Sequence, residues 1–293
     1  MAEAGNYSVL SKQPKMESRT GRVYMAAVTR TDFQFNFLKH IIVRIDFQGI
    51  LETEMEKILM LTKPFLKTKG FSRYIQQMQS EMEINVPNQN SQISSVNKIQ
   101  SHKIHSFVND DRGYVLYISS GFVCLDISST AYAPFEDYSA IVLNIADICK
   151  SSIDFVSISR AGIRKINVCM VEDKKKIKEY FSPAYFGFFD AIEGVDTYSS
   201  NRKDTFGIKQ YKGNISCNID QGTANGKILY KISLDSDIYA DDINTIEQGL
   251  NFNQMNEILF RIYANSLTDQ FKKDLSGNDE TVFSDIIGVE KNE

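Results

Sequence analysis

Two guanidinium groups and a pair of carboxylates are the residues of this chain best suited to chemistry. Arg160, Gly162, Arg164 and Asn167 follow one another inside FVSISRAGIRKINVCM, residues 155–170. Val156 and Ile158 alternate there with Ser157 and Ser159, the period of a strand with one buried face. Arginines on such a strand are costly unless paired. They require internal acids, or a phosphate, carboxylate or acidic partner from outside. If Gly162 marks a bulge, the alternation slips there and the two arginines need not share a face. Asp235 and Asp237 stand at i and i+2 of a later strand, with Asp241 and Asp242 close behind. Carboxylates so spaced point the same way. They could share a cation, act as an acid/base pair, or form salt bridges back to the arginines.

Other candidates are weaker in type or spacing. His102-x-x-His105 puts its rings on opposite sides of an extended segment, and His40 is the one further histidine, so no metal site is predicted. Lys174, Lys175, Lys176 and Lys178 could touch phosphates, but Glu172, Asp173 and Glu179 dilute them into a solvated helix face. Tyr180, Phe181, Tyr185, Phe186, Phe188 and Phe189 crowd one short stretch. Aromatic side chains in that density serve a core, a ligand pocket or a protein interface. The tail Thr281–Ile287 reads as a docking segment or as intramolecular packing. The chain has no G-x-x-x-x-G-K-[ST] loop, no G-x-G-x-x-G after a strand and no G-x-S-x-G elbow, and no cofactor is predicted.

A net charge of −4 argues against a generic polyanion binder, although nucleic acid remains a possible ligand of the basic front. That front holds Lys12, Lys15, Arg19, Arg22 and Arg30, while Asp279, Glu280, Asp285, Glu290 and Glu293 make the far end acidic. Cys124, Cys149, Cys169 and Cys217 form no C-x-x-C pair and read as reduced, buried thiols. The opening residues lack the apolar core of a signal peptide, and no apolar run approaches the ~20 residues that span a bilayer. A cytoplasmic protein with no membrane association is the expectation.

Elements that must position these groups follow from periodicity. A strand is predicted over His40–Phe47, a helix over Leu51–Leu66 ended or kinked by Pro64, and a second strand over Met78–Val86. A polar loop follows at 87–101. Tyr114–Ile118 and Phe122–Ile127 read as a hairpin, and Pro134–Lys150 as the clearest amphipathic helix. After the arginine strand and a short charged helix, Gly207–Ile219 and Lys227–Asp237 pair about Asn225-Gly226, and a long helix covers Asn253–Leu275. No internal repeat is evident. The fold class is α+β, a largely antiparallel sheet with helices packed on one side, ordered β-α-β, hairpin, α, β, short α, hairpin and long C-terminal α. Residues 1–32 are predicted to be a mobile basic arm, 33–277 a single domain and 278–293 an acidic tail.

Three of these segments together resemble a sporadically distributed prokaryotic family with no assigned function, over roughly residues 36–270. The resemblance rests on Tyr132 and Phe135 before the 134–150 helix, then R-x-G-[IL]-R-x-[IV]-N at Arg160, Gly162, Ile163, Arg164, Ile166 and Asn167. L-D-x-D-x-[YF] at Leu234, Asp235, Asp237 and Tyr239 completes it. The family's last helix opens with a histidine; this chain has Asn256 there, and ends the helix on Tyr263 with Leu267-Thr268. The resemblance implies one α+β domain, and a patchy distribution points to defence or toxin–antitoxin-like loci. The leading expectation is a non-enzymatic component that binds a partner protein encoded nearby. Its contacts would be Arg160, Arg164, Asn167, Tyr185, Phe186, Phe188, Phe189, Asp235 and Asp237. The alternative is a nucleotide or nucleic-acid sensor, or a metal-dependent hydrolase, in which Arg160 and Arg164 hold phosphates and Asp235 and Asp237 a cation.

Overall fold

The computed structural model describes residues 29–83, 98–128, 134–188, 197–241 and 249–292. After β1 (Phe35–Asn36) come β2 (Leu38–Gln48), α1 (Met55–Thr68), β3 (Arg73–Glu83), β4 (Lys98–Asn109), β5 (Tyr114–Ile118), β6 (Phe122–Ile127) and α2 (Phe135–Ser152). Next are β7 (Ser157–Val171), α3 (Lys174–Tyr180), β8 (Ser199–Ile208), β9 (Tyr211–Ala224), β10 (Lys227–Ala240), α4 (Phe252–Ser266) and α5 (Asp269–Ser276). The short β11 (Ile286–Ile287) and β12 (Glu290–Lys291) close the chain. The architecture is α+β, a large antiparallel sheet with a few helices.

Strand order β3-β4-β5-β6-β2-β7-β10-β9-β8 contains a repetition of topology. A strand, a helix, an antiparallel meander and a second helix occur twice, as β2-α1-β3-β4-β5-β6-α2 and as β7-α3-β8-β9-β10-α4. In each half the opening strand pairs with the last strand of its own meander, β2 with β6 and β7 with β10. The two opening strands then pair with each other antiparallel at the centre. Topology of this kind needs only matching burial periods. Such periods can be met without a repeated motif, so no repeat need be evident in the sequence.

Core-facing positions alternate along the central strands: Ile41, Val43, Ile45 and Phe47 on β2, Val123, Leu125 and Ile127 on β6, Ile232, Leu234 and Ile238 on β10. Helix α2 answers with Tyr138, Ile141, Val142 and Ile145, and α4 with Met255, Ile258, Leu259 and Ile262. Each such side chain taken fully out of water contributes roughly 1.5–3 kcal/mol. The aromatic stretch joins this core. Tyr180, Phe181 and Phe186 are buried, Tyr185 and Phe188 pack against them from partly buried positions, and Phe181 lies 5.3 Å from Phe271. Phe189 lies outside the described residues.

Several boundaries differ from the sequence expectations. The second strand begins earlier, at Arg73, and pairs with β4, so part of the predicted loop is strand; residues 87–97 are outside the described set. Pro64 sits inside α1 without ending it. The strand predicted from Gly207 divides at Lys209 (φ 55°) into β8 and β9, while Asn225 and Gly226 (φ 51° and 76°) make the predicted hairpin turn. The long last helix is two. Its break at Leu267-Thr268 is held by the Phe181–Leu267 bridge and by the Thr268 amide donating to the Tyr180 carbonyl at 2.9 Å, and Thr268 Oγ1 then caps α5.

The ends of the described chain are folded in. Ile286 and Ile287 pair with Val171 and Met170, and Phe35-Asn36 with Lys291-Glu290. Arg30 bonds the Asn256 carbonyl. Residues 1–28 lie outside the described residues.

All four cysteines are free. Burial pushes the Cys124 and Cys149 thiols up to about 12 and Cys217 up to about 11, and raises Cys169 as well. Because the thiolate is the nucleophile, iodoacetamide at pH 8 should leave the folded chain unlabelled and modify all four thiols in denaturant. Mass spectrometry after each treatment checks this, and rapid native labelling would contradict it.

Candidate functional site

Residue pairing places the two predicted motifs side by side. On the face of the sheet away from the core, Gly162 stands opposite Tyr239, Arg164 opposite Asp237 and Ile166 opposite Asp235. Each arginine reaches diagonally. Arg164 grips Asp235 with two nitrogens, Nε to Oδ1 at 2.7 Å, and Arg160 Nη2 donates to Asp237 Oδ2 at 2.6 Å. Asp46 on β2 joins from the other side, 3.8 Å from Arg160 Nη1 and 2.7 Å from Arg44 Nε. Arg160 also lies over the Tyr239 ring, 4.4 Å from its centroid. Burial raises the Asp237 carboxyl above its ordinary value and outweighs the opposing pull of Arg160 and Arg164. Three arginines and three aspartates neutralise one another in this cluster, so its charges are met from within.

Gly162 is not a bulge. The irregularity falls one turn of the pleat earlier: Asp46 pairs with Arg160 and Phe47 with Ile158, leaving Ser159 extra. The phase therefore slips at Ser159, and Arg160 and Arg164 share a face. The glycine has another role. A Cβ there would stand 2.7 Å from Tyr239 Cβ and 2.9 Å from the Ile238 carbonyl oxygen, so its absence lets Tyr239 cross toward Arg160. Gly162→Ala should cost about 1–3 kcal/mol, read from the urea midpoint; an unchanged midpoint would sink this account.

The same slip turns Lys165 and Asn167 inward, under α4. Lys165 lies between Ile41 on β2 and Ser236 on β10. Asn167 is buried, and its Nδ2 donates to the Leu234 carbonyl at 3.4 Å. Over them lies a pocket of about 380 Å³. Leu259, Phe260 and Tyr263 of α4 form one wall, and Arg30, Phe33 and Asn36 another. Asn292 completes the rim, donating from Nδ2 to the Phe33 carbonyl at 2.7 Å and accepting from Asn36 Nδ2.

Polar groups around this pocket are incompletely satisfied. Tyr263 OH, Arg30 Nε and Asn256 Oδ1 are buried with no hydrogen-bond partner among the described residues. Asn256 is the residue standing where the resembled family has histidine. Burial pushes the Lys165 ammonium down to about 7, with Arg30 acting in the same direction and Glu257 against it. The sequence signal for this site is the inward row Ile163, Lys165, Asn167, where two polar residues occupy core positions. It is legible only once the slip at Ser159 is known.

Remaining candidates stay apart from both clusters. His105 is buried, stacks on Tyr74 and bonds its hydroxyl at 2.8 Å through Nδ1; burial lowers its pKa. The His102 side chain and Asp242 lie outside the described residues, as does Tyr132. Asp241 pairs with Lys212 at 2.9 Å and Lys176 with Glu179 at 3.2 Å. Among the described residues no group of three or more His, Cys, Asp or Glu side chains could hold a metal ion, and no helix is long and apolar enough to cross a membrane.

No family model matches the chain, and no curated protein matches it. Among solved structures, the crystal structure of DynU16, from the dynemicin biosynthetic locus, aligns at 9% identity and a TM-score of 0.18, over 82% of this chain and 99% of the other. At that TM-score the likeness carries no argument.

A lysine whose folded pKa lies below its unfolded one burdens the native state fully at low pH. The burden lifts as pH rises through the folded value, because the unfolded chain then holds the extra proton. Lys165→Met should therefore be more stable than the parent at pH 6–7, with the lead shrinking toward pH 8.5. Denaturant titrations of both chains across that window test this, and a constant difference would refute it.

Proposed function

We propose that this protein works by binding, without bond chemistry of its own, and that its ligand site is the pocket under α4. The carrying observation is the pocket itself. It is a cavity of about 380 Å³ with apolar walls and a few unsatisfied polar groups, at the small end of the ~300–1,000 Å³ range of ligand sites. The arginine–aspartate lattice supports the rest of the reading, since its charges are matched internally and it serves to lock β2, β7 and β10 together. A small amphipathic molecule fits the pocket's size and lining. Calorimetric titration of the full chain with 1-octanol should find one saturable site. Leu259→Trp, which fills the pocket, should abolish it while unfolding as cooperatively as the parent. Equal binding by both chains would exclude this pocket.

A partner protein, the expectation from the sequence, is supported by a different surface. Met60 and Leu61 on α1 and Tyr74 and Met78 on β3 are exposed, and Lys63 spans the two elements with its Nζ 5.2 Å from the Tyr74 ring. Exposed apolar clusters of this kind mark contact surfaces. If a protein encoded nearby docks there, the double variant Met60→Lys, Met78→Lys should stop its co-elution on size exclusion. Unaltered co-elution would place the contact elsewhere.

A further inference from the structure

The pocket's charge balance is lopsided. Lys165 and Arg30 both line it, and among the described residues the one acid bearing on them is Glu257, 3.6 Å from Arg30 Nη2. Arg30 is further held by the Asn256 carbonyl and lies 5.2 Å from the centroid of the Phe260 ring. The Lys165 ammonium has no hydrogen bond or ion pair among the described residues. Two cations against one acid leave a single positive charge to be met, and its surroundings are Leu259, Phe260, Phe33 and Leu38.

We propose that the pocket takes a small monocarboxylic acid with an apolar body, its carboxylate on Lys165 beside the unpartnered Tyr263 hydroxyl and its body along Leu259 and Phe260. The proposal rests on the pocket reading above and names its ligand class. A monoanion cancels the surplus charge, whereas a phosphate monoester, which is largely dianionic, would leave a negative charge in an apolar cavity. A neutral ligand would leave the lysine as it is. Tyr263 OH can donate to one carboxylate oxygen, which also satisfies a group otherwise stranded.

Proton uptake follows from this arrangement. Free Lys165 loses its proton near pH 7 because burial disfavours the ammonium, Arg30 repels it and Glu257 only partly compensates. Tyr263, which also lines the pocket, stays protonated, since burial raises its pKa. The neighbouring strands contribute Ile41 and Ser236, which do not titrate. A carboxylate arriving beside the amine favours the ammonium, so binding above pH 7 carries a proton in with it. Affinity is greatest below pH 7 and falls by about tenfold per pH unit above it.

The test is calorimetry of the full chain with sodium octanoate and with 1-octanol. Measurements run from pH 6 to pH 9, in two buffers of different ionisation enthalpy so that protons are counted. The expected result is octanoate binding tighter than octanol at pH 6, weakening about 100-fold by pH 9 with uptake approaching one proton. Octanol should show neither trend. Lys165→Met should lose the preference for the acid and the proton uptake while still binding octanol, which also shows that it is folded. If octanoate and octanol bind alike with no proton uptake, the acid assignment is overturned and the pocket stands. If neither binds, the pocket reading itself falls.

Discussion

Everything in this molecule hangs on the antiparallel contact between β2 and β7. It joins two halves of similar order, one with a four-stranded and one with a three-stranded meander, and its register decides which side chains of the arginine strand meet the core. Two irregularities interrupt it, Lys39 extra on β2 and Ser159 extra on β7, and the second decides the face of the arginines. Without it the inward row would be Arg160, Gly162 and Arg164, and two guanidinium groups would stand beneath the helices, away from Asp46, Asp235 and Asp237, at a large desolvation cost. With it, the arginines face outward to Asp46, Asp235 and Asp237, and the inward positions pass to Ala161, Ile163, Lys165 and Asn167.

The outward lattice is an interlocking of two sequence motifs. Diagonal ion pairs link β7 to β10, a tyrosine crosses the space a glycine vacates, and an aspartate shared by Arg44 and Arg160 carries the linkage across to β2. Exposed ion pairs contribute little to stability individually. Here the half-buried positions and shared partners make the set a register lock, because a slip of either strand by one residue would put each charge on the wrong face.

Much of the fold was legible in the sequence because it depends on local periodicity. The 135–152 helix, the 114–127 hairpin and the Asn225-Gly226 turn are each written in residues adjacent in the chain. What escaped depends on distant partners. The break at Thr268 needs the Tyr180 carbonyl and Leu267's bridge to Phe181, and the strand status of 98–101 needs β3 alongside. Arg160, Arg164, Asp235 and Asp237 do meet, as one of the sequence alternatives had it, by pairing with one another. Lys165 went unremarked because a lysine beside an arginine reads as a second surface charge until the phase of the strand is known.

The ribbon formed by β1 and β12 has a kinetic consequence. Asn36 and Asn292, which bond across it, are 256 residues apart, so its two strands meet only once β2 and β11 have both paired with β7 and brought them together. The sheet halves and α4 can assemble from nearer contacts, but the rim of the pocket cannot exist until this clasp shuts. A chain that has acquired its core is therefore still a receptor without a doorway, and competence to bind matures after the native sheet does.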